Sequence, residues 1–421
     1  MKASISRGSI KGSVPAPPSK SYTIRGLMCG ALGRGKSQIM YPLGSDDTDA
    51  ASNVLRKIGT RVRHNKTSWT IEGGDFHTPD SDLYCGDSAA TLRFMTALCS
   101  VIPGTCRLTA GASLSRRPEE PLLNALRQLG VKCSAPNDLP PVTVQGGKLK
   151  GGITSLPGDI SSQYVSALLL VAPFAEKDII IRVTTPLESK PYVLMTMDAM
   201  QWFGITVAFN DTMDEFQVFP QKYQPTKFRI EGDWSSASYP LALGALAGEV
   251  EVANLPTESM QGDRMLLDFL QGMGAGVTIG RNSVIVTQSK LNAVKADLTD
   301  CIDLLPTVAV LAAVAEGKSV LTGIARARLK ESNRVAAVGE GLTRMGIKVT
   351  EEKDYLTITG GKPHGATIDS KNDHRIAMAF SLLGTVTGKV TIEGAECVGK
   401  TYPEWWDVMK SLGGRIKLDG E

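Results

Sequence analysis

The amino-acid sequence predicts an α/β fold with internal pseudo-symmetry, and the main evidence is a short pattern that recurs six times. In each copy a helical stretch ends in an apolar residue and a glycine, and a strand-like residue follows three positions after the glycine. Apolar runs typical of strands also alternate with helices rich in small apolar residues. Six such units in 421 residues favour a globular protein over a solenoid. The glycines lie 67 to 74 residues apart and are Gly59, Gly130, Gly204, Gly274, Gly346 and Gly413.

Each repeat is interpreted as a helix that a glycine closes in the left-handed conformation before the chain turns into a strand. At average element lengths one unit holds about two helices and three or four short strands. No long linker or low-complexity segment is found, so a domain boundary must fall at tight crossings, near residues 18 and 232. The strands that can be placed are 68–72, 142–144, 178–183, 283–287, 355–358 and 389–392, and the helices are 236–246, 304–315 and 375–383.

Composition and charge exclude several classes of protein. A hydrophobic content of 42% with 21% charged residues is typical of a globular chain. Lys and Arg number 46 against 43 Asp and Glu, a balance too even for general nucleic-acid binding. No apolar run reaches the ~18 residues of a membrane span, and the N-terminus lacks a signal-peptide core. Seven cysteines without a C-x-x-C pair and four dispersed histidines predict a reduced cytoplasmic protein without a metal.

The segment 18–25 (PSKSYTIR) is the first candidate for a binding site. Pro17 and Pro18 end the preceding strand, and either Ser19 or Ser21 can cap the helix that follows. A helix start leaves backbone N–H groups available and carries partial positive charge, to which Lys20 and Arg25 add two full charges. An ordinary capped helix is the alternative for this motif alone.

Further polar and cationic clusters precede apolar helices along the chain. Each alone is more often a plain cap, but three helix starts with additional donors in the first half favour an anion site. In the second half, Lys330 and Arg334 share one face if their segment is helical, and a solvated charged face is the alternative there. The clusters are 86–93 (GDSAATLR), 115–121 (SRRPEEP), 158–164 (GDISSQY), 328–334 (RLKESNR), 372–375 (NDHR) and 399–403 (GKTYP).

Taken together, these motifs resemble those of the 5-enolpyruvylshikimate-3-phosphate synthases, in order and at family spacing from Pro15 to Tyr402. The resemblance implies a two-domain inside-out α/β barrel of six units, three per domain, with the active site in the cleft between them. The domain 19–232 is expected to carry most contacts to shikimate 3-phosphate. The other domain, 1–18 plus 233–421, would carry Asp303, Lys330, Glu331, Arg334, Arg375 and Lys400.

The resemblance also implies an activity. The enolpyruvyl group of phosphoenolpyruvate is transferred to the 5-hydroxyl of shikimate 3-phosphate, and phosphate is released, as in aromatic amino acid biosynthesis through chorismate. We expect a cytoplasmic monomer without metal or organic cofactor, acting on small molecules and on neither nucleic acid nor membrane. Members of the family take up glyphosate at the phosphoenolpyruvate site.

Residue roles follow from the same resemblance. Two phosphates and two carboxylates in one site require several fixed cations. Glu331 and Lys20 are expected to transfer the proton of the methylene carbon, and Asp303 is expected to act as the base for the hydroxyl. Arg93 is a candidate phosphate contact. From the residues alone, a helix N-cap is the favoured interpretation of Asp303. Shikimate 3-phosphate would contact Lys20, Ser21, Arg25, Ser161, Ser162, Gln163, Ser189, Asp303 and Lys330. Phosphoenolpyruvate would contact Lys20, Ala89, Arg117, Gln163, Arg334, Arg375 and Lys400.

The chain departs from the family pattern in two places. The loop that usually reads Gly-Asn-Ala/Ser-Gly-Thr has Asp87, Ala89 and Ala90 for its asparagine, second glycine and threonine. Asp87 therefore adds a negative charge beside an anion site. Arg326 stands where some members have an asparagine that contacts shikimate.

Two alternative functions compete with this one. UDP-N-acetylglucosamine enolpyruvyl transferase has the same fold and uses a cysteine on a mobile loop as proton donor. Cys106 is the only cysteine in a comparable stretch, and its surroundings are strand-like. A non-catalytic anion-binding protein is the other alternative, against which the presence of both Glu331 and Asp303 argues, because binding alone needs no proton-transfer groups.

Overall fold

The computed structural model describes residues 1–419. Its strands are short and its helices fall into two classes, one buried throughout and one amphipathic. The strands are β1 (Lys2–Ser6), β2 (Ile10–Pro15), β3 (Gly35–Met40), β4 (Arg61–His64), β5 (Ser68–Gly73), β6 (Leu83–Tyr84), β7 (Gly104–Thr109), β8 (Lys132–Ser134), β9 (Val142–Gly146), β10 (Gly152–Leu156), β11 (Ile179–Val183), β12 (Ala208–Phe209), β13 (Glu215–Val218), β14 (Lys227–Arg229), β15 (Gly248–Ala253), β16 (Gly276–Ile279), β17 (Ser283–Thr287), β18 (Lys295–Asp297), β19 (Lys318–Thr322), β20 (Lys348–Glu351), β21 (Tyr355–Thr359), β22 (Thr367–Asp369), β23 (Val390–Glu393) and β24 (Arg415–Leu418).

Short 3₁₀ turns precede or follow several of the α-helices. Those that matter for the site are Leu114–Arg116, Gly262–Met265, Ile302–Leu304, Ala325–Leu329 and Ala395–Lys400. The helices are α1 (Lys20–Leu32), α2 (Asp46–Lys57), α3 (Ala89–Leu98), α4 (Glu120–Gln128), α5 (Ser162–Val171), α6 (Lys190–Trp202), α7 (Trp234–Ala247), α8 (Leu266–Gly272), α9 (Leu305–Val314), α10 (Arg334–Arg344), α11 (His374–Thr387) and α12 (Trp405–Ser411).

The chain folds into two compact units, one of Pro18–Glu231 and one of Met1–Pro17 with Gly232–Glu421. Each unit contains three four-stranded sheets and its own hydrophobic core. The sheets of the first unit have the strand orders β14-β3-β5-β4, β6-β7-β9-β8 and β10-β11-β13-β12. Those of the second unit have the orders β16-β17-β15-β2, β18-β19-β21-β20 and β22-β23-β1-β24.

All six sheets share one topology. In each, one edge strand pairs in parallel with its neighbour, and the remaining pairs are antiparallel, as for β10 with β11 and then β11 with β13. The six repeat glycines all have positive φ, between 82° at Gly204 and 104° at Gly59, and each joins an amphipathic helix to an outer antiparallel strand. A side chain is disfavoured in this conformation, so glycine is required there. The predicted six-unit repeat is confirmed.

Three almost fully buried helices form the centre of each unit. They are α1, α3 and α5 in one unit and α7, α9 and α11 in the other, and every residue of α7 is buried. These helices contain many alanines, glycines and serines, which permit close packing. The amphipathic helices, among them α2, α4 and α10, cover the sheets from outside. The predicted small-residue helices and the six predicted strands are all observed, with bounds shifted by at most a few residues.

None of the helices within residues 1–419 has the length and hydropathy of a membrane span. The same residues contain no group of three or more His, Cys, Asp or Glu side chains arranged to hold a metal ion.

Candidate active site

Most of the predicted binding residues of the 18–231 unit lie at the N-terminal ends of its three buried helices, whereas Arg117 and Ser189 precede α4 and α6. α1 begins at Lys20, α3 at Ala89 and α5 at Ser162. The side-chain oxygens of Ser19 and Ser161 accept backbone N–H groups of the first turns of α1 and α5, so Ser19 rather than Ser21 caps α1. Helix starts of this kind present N–H donors and partial positive charge, which suits anionic ligands.

Lys20 is fixed by an ion pair with a residue that the sequence did not single out. Its Nζ lies 2.9 Å from Oδ2 of Asp47, in the first turn of α2. The two side chains are 17% and 6% exposed. Lys20 therefore occupies a defined position at the start of α1, next to the half-buried Ser21.

Arg25 is a buried cation whose hydrogen-bond acceptors are all neutral. Its Nε donates to Thr196 Oγ1 at 2.8 Å, Nη1 to the carbonyl of Ser21 at 3.0 Å and Nη2 to the carbonyl of Tyr192 at 2.9 Å. Its guanidinium also lies 5.4 Å from the ring centroid of Phe94. Burial lowers the pKa of Arg25 to about 10. A buried charge is costly unless an opposite charge approaches it, so this arrangement favours binding of an anion.

Arg93 connects the starts of α3, α4 and α5. Its Nη1 donates to Ser161 Oγ at 3.0 Å and to Gln163 Oε1 at 2.8 Å, and its Nε donates to Glu119 Oε1 at 3.1 Å. Ser162, between these two contacts, is buried at the first position of α5. The predicted contact of Arg93 with a phosphate stays a prediction, but two other candidate binding residues depend on its guanidinium.

Asp87 orders the loop that leads to Arg117. Its Oδ1 accepts the backbone N–H groups of Ser113 and Leu114 at 3.1 and 2.9 Å. Arg117 is buried and donates from Nη2 to Ser113 Oγ at 3.3 Å. The sequence alone indicated a negative charge beside an anion site, and the structure directs one oxygen of this carboxylate to two backbone donors.

Ala89, the first residue of α3, is half-buried. The preceding Ser88 shares a hydrogen bond of 2.8 Å with Thr91, whose Oγ1 donates to the carbonyl of Asp47 at 3.4 Å. The start of α3 is thereby tied to the residue that pairs with Lys20.

Strained backbone marks two of the predicted motifs. Ser189 is buried and has φ 55° and ψ 44° immediately before α6. Lys371 and Asn372, immediately before the motif residue Asp373, have φ of 54° and 56°. Residues other than glycine adopt this conformation at a cost of about 1–2 kcal/mol each, and such strain clusters at functional sites.

In the other unit, Arg334 gathers three carboxylates around one guanidinium. It is 1% exposed and lies 2.6 Å from Asp303 Oδ1, 2.6 Å from Glu331 Oε2 and 2.8 Å from Asp373 Oδ2. Asp373 is itself the N-cap of α11 and accepts the backbone N–H of Arg375 at 3.0 Å. Segments far apart in sequence thus converge on one buried charge.

Asp303 forms ion pairs with three cations. Besides Arg334, Arg375 Nη2 lies 3.3 Å from its Oδ2 and Lys330 Nζ lies 3.4 Å from its Oδ1. Burial would raise the pKa of Asp303, but Arg375, Lys330 and Arg334 together hold it well below its usual range. Asp303 lies in the turn before α9 and is not its N-cap, so the simple structural alternative is wrong.

The predicted helical face shared by Lys330 and Arg334 is also wrong. Lys330 has an extended backbone after the turn Ala325–Leu329, and α10 begins only at Arg334. Both cations nevertheless reach the same oxygen of Asp303. Burial lowers the pKa of Lys330, although the charge of Asp303 opposes this.

Glu331 lies between two cations. Its Oε2 pairs with Arg334, and its Oε1 lies 3.5 Å from Nζ of Lys400, at the end of the turn Ala395–Lys400. All six residues predicted for this unit, Asp303, Lys330, Glu331, Arg334, Arg375 and Lys400, therefore belong to one connected cluster. Such a cluster combines fixed positive charge with two carboxylates that can exchange protons.

Comparison with known proteins is consistent across sequence and structure. The model of the EPSP synthase family (3-phosphoshikimate 1-carboxyvinyltransferase) matches residues 6–409. The chain belongs to the EPSP synthase family. A 3-phosphoshikimate 1-carboxyvinyltransferase of Dehalococcoides mccartyi is 48% identical over 421 residues, covering 100% of both chains. That of Methanothermobacter thermautotrophicus is 42% identical over 417 residues, covering 98% of both chains.

Solved structures agree with the EPSP synthase fold. An EPSP synthase from Acinetobacter baumannii superimposes with a TM-score of 0.82 at 28% identity, covering 99% of this chain and 100% of the other. The enolpyruvyl transferase NikO from Streptomyces tendae, at 17% identity, superimposes with a TM-score of 0.80 over 99% of this chain and 98% of the other. The predicted enolpyruvyl transferase fold is confirmed.

Cys106, on which the alternative within this fold depended, is fully buried in β7. Its Cα partner in the neighbouring strand is Val144 of β9. A cysteine that donates a proton from a mobile loop needs access to the substrate, and this residue does not have it.

Asp263 is a buried carboxyl that the sequence analysis missed. It lies in the turn Gly262–Met265, where Ser235 Oγ donates to its Oδ2. Its Oδ1 is buried and accepts no hydrogen bond within residues 1–419. Burial first, and then the charge of Asp303, raises the pKa of Asp263 to about 7. The pKa values of Asp263 and Asp303 are thus shifted in opposite directions, and Asp303 is by far the stronger acid.

Three further partners of the predicted cations were missed, namely Asp47, Glu119 and Asp373. Asp373 stood inside a motif that had already been selected, and Glu119 follows Arg117 by two residues. Asp47 lies in an acidic stretch that reads as an ordinary helix start. The available signal was the requirement that a buried cation have a counter-charge, but sequence does not reveal which carboxylate fills that role.

Proposed function

We propose that this chain transfers the enolpyruvyl group of phosphoenolpyruvate to the 5-hydroxyl of shikimate 3-phosphate and releases phosphate (EC 2.5.1.19), in the shikimate pathway. The observation that carries the proposal is the pair Asp303 and Glu331, each held between fixed cations that a dianionic substrate also needs. A protein that only bound anions would gain nothing from two carboxylates among its cations.

We infer that shikimate 3-phosphate uses the helix starts of the 18–231 unit. The hydroxyls of Ser161, Ser162 and Ser189 and the cation Arg25 offer donors for its phosphate and carboxylate. Lys20 and Ser21 at the start of α1 extend this set, and Gln163, Asp303 and Lys330 are assigned to the same substrate. Arg25 is buried and has no carboxylate partner within residues 1–419, which supports the assignment.

Phosphoenolpyruvate is assigned to Lys20, Arg117, Gln163, Arg334, Arg375 and Lys400, with Ala89 bounding the space. Five of these residues are cations, and charge-assisted hydrogen bonds to phosphate and carboxylate are the strongest that a site of this kind forms. The surrounding cations hold the pKa of Asp303 well below its usual range, and Lys400 pairs with Glu331. Both observations support an excess of positive charge around these positions, which suits an anionic substrate.

The reaction requires three proton transfers, divided between an addition step and an elimination step. In the addition step, a proton goes to the methylene carbon of phosphoenolpyruvate while the 5-hydroxyl oxygen bonds to its central carbon and loses its own proton. In the elimination step, the new methyl group gives up a proton and the C–O bond to phosphate breaks. We assign the carbon proton to Lys20 and Glu331 and the hydroxyl proton to Asp303.

The cations around Asp303 allow substrate binding to increase the basicity of this carboxylate. A carboxylate with a strongly lowered pKa is ionised but weakly basic. When anionic substrates approach Arg375, Lys330 and Arg334, their negative charge offsets the cations and raises the basicity of Asp303. Proton transfer is then favoured only in the loaded site.

The decisive experiment measures phosphate release from phosphoenolpyruvate with shikimate 3-phosphate, with UDP-N-acetylglucosamine and without acceptor, and identifies the product by mass spectrometry. We expect turnover only with shikimate 3-phosphate. Turnover with the nucleotide sugar supports the other transferase, and binding without turnover supports an anion-binding protein.

We further propose a cytoplasmic monomer that needs no metal or organic cofactor. Sedimentation and full activity in EDTA test the monomer and the absence of a metal requirement.

A further inference from the structure

Arg93 and Glu119 form a buried ion pair beneath two of the proposed substrate ligands. Arg93 is 7% exposed and Glu119 is fully buried. The Nε of Arg93 lies 3.1 Å from Glu119 Oε1, and its guanidinium lies 4.8 Å from the ring centroid of Tyr164. Arg93 thus has its charge balanced by Glu119 and its plane supported by an aromatic ring, which fixes the direction of its remaining N–H groups.

Those N–H groups determine what Ser161 and Gln163 can offer a ligand. Ser161 Oγ accepts from Arg93 Nη1 at 3.0 Å and from the backbone N–H of Gln163 at 3.3 Å. Both acceptor positions of the hydroxyl are then used, and its hydrogen remains available to donate. Gln163 Oε1 accepts from Arg93 Nη1 at 2.8 Å, so its amide group turns its two N–H donors away from Arg93.

We propose that Arg93 and Glu119 are a positioning pair that makes Ser161 and Gln163 hydrogen-bond donors toward the anionic substrates. The proposal rests on the proposed function, because outward donors matter only where phosphate and carboxylate oxygens bind. Without Arg93, Gln163 can rotate its amide by half a turn and present an oxygen to the ligand, which repels an anion. Glu119 keeps Arg93 in the position from which it prevents this.

A double-mutant cycle tests the pair. The background variant is Arg93→Met with Glu119→Gln, which removes both charges and leaves neither buried without a partner. In the wild-type protein, Gln163→Ala should weaken shikimate 3-phosphate binding about ten- to hundredfold, since a donor to a charged group is lost. In the background variant, where Gln163 is no longer oriented, the same substitution should weaken binding by less than about threefold.

Ser21→Ala is the matched control, since Ser21 is assigned to the same ligand and does not contact Arg93 within the described residues. Its effect on the dissociation constant should be equal in both backgrounds. Calorimetry gives the binding constants, and melting temperatures report the fold. A purely structural role of Arg93 would weaken every variant alike and produce no coupling specific to Gln163.

Arg93→Lys provides a second test if the doubly substituted background fails to fold. Lysine keeps the charge opposite Glu119 but cannot hold Ser161 and Gln163 together with a planar group. We expect shikimate 3-phosphate binding to weaken about tenfold at an unchanged melting temperature. Additive effects in the cycle, or undiminished binding by the lysine variant, overturn the positioning pair while wild-type turnover stands. A wild-type protein that binds no shikimate 3-phosphate overturns the proposed function and this inference with it.

Discussion

Arg334 Nη1 lies 2.6 Å from Asp303 Oδ1, at the centre of a cluster in which the same guanidinium also holds Glu331 and Asp373. Both carboxylates assigned to proton transfer therefore pair with one cation. Together with Arg375 and Lys330, this guanidinium holds the pKa of Asp303 well below its usual range before substrate arrives. The shared cation also means that neutralising either carboxylate changes the charge that the other experiences.

We predict that Asp303→Asn and Glu331→Gln each lower turnover by at least about a thousandfold, because general acid–base groups commonly contribute 10²–10⁴. Shikimate 3-phosphate binding should stay within about tenfold of wild type, since each variant only exchanges a charge for an amide of similar shape. The measurements are kcat from phosphate release and the dissociation constant from calorimetry.

Glu340→Gln is the matched control for these two variants. Glu340 lies on the same helix as Arg334 but pairs with Arg344 on an exposed face. Its turnover should equal that of the wild-type enzyme. Normal turnover by both Asp303→Asn and Glu331→Gln would remove these carboxylates from the mechanism.

Arg25 should lower the stability of the free protein and increase affinity for the ligand. Because burial lowers its pKa to about 10, from 12.5, the charged form is less favourable in the folded than in the unfolded chain. Arg25→Met keeps most of the volume and removes the charge. We predict that its melting temperature without ligand is equal to or above that of wild type, while the increase in melting temperature on adding shikimate 3-phosphate is lost. A variant with a normal ligand-induced increase would show that Arg25 does not face the ligand.

The buried carboxyl of Asp263 predicts an unusual pH dependence of stability. A carboxyl whose folded pKa is raised from 3.8 to about 7 stabilises the fold fully below its unfolded pKa, and this contribution is lost as the pH rises through 7. The loss is on the order of 4 kcal/mol between pH 4 and pH 8. Asp263→Asn carries no charge at any pH, so its free energy of unfolding should increase relative to wild type over this range.

Urea unfolding at several pH values between 4 and 8 measures this difference. Asp268→Asn is the control, since Asp268 is exposed on the adjacent helix α8. The free energy difference between Asp268→Asn and wild type should vary little with pH. A pH-independent difference for Asp263→Asn would mean that its carboxyl is already ionised at pH 4.

Repetition made the fold predictable. The six glycines were identified by spacing alone, and their positive φ explains why the pattern is so regular. The helix starts were also predictable, because capping residues and prolines determine where a helix begins through local interactions. The convergence of Asp303, Lys330 and Arg334 was expected only from the family resemblance, and no periodicity in the sequence connects them.

What the sequence did not reveal is the set of carboxylates that balance the cations. Asp47 and Glu119 come from segments distant from their partners Lys20 and Arg93, and only the packing of helices brings them together. The surroundings of Asp87 were equally hidden from the sequence. The sequence indicated only a negative charge beside an anion site, and the folded loop supplies this carboxylate with two backbone donors.

The last prediction concerns Ala89, where the family usually has glycine. Glyphosate occupies the phosphoenolpyruvate site in this family and is slightly longer than phosphoenolpyruvate along the axis that ends at this loop. Ala89 is half-buried at the start of α3, next to the element that carries Asp47, the partner of Lys20. An additional methyl group in a close-packed site costs about 1–3 kcal/mol, or roughly ten- to a hundredfold in binding. The shorter substrate should be affected less than the longer inhibitor.

We therefore predict that the wild-type enzyme tolerates glyphosate and that Ala89→Gly lowers the inhibition constant about ten- to a hundredfold against phosphoenolpyruvate, with a smaller change in KM. Ala90→Gly is the control, because it introduces the same helix-destabilising residue one position further along α3. An equal decrease in the glyphosate inhibition constant for both variants would indicate that a destabilised start of α3, and not the removal of the Ala89 methyl group from the binding site, causes the effect. A wild-type enzyme that glyphosate inhibits as strongly as the Ala89→Gly variant would show that the methyl group does not face the ligand.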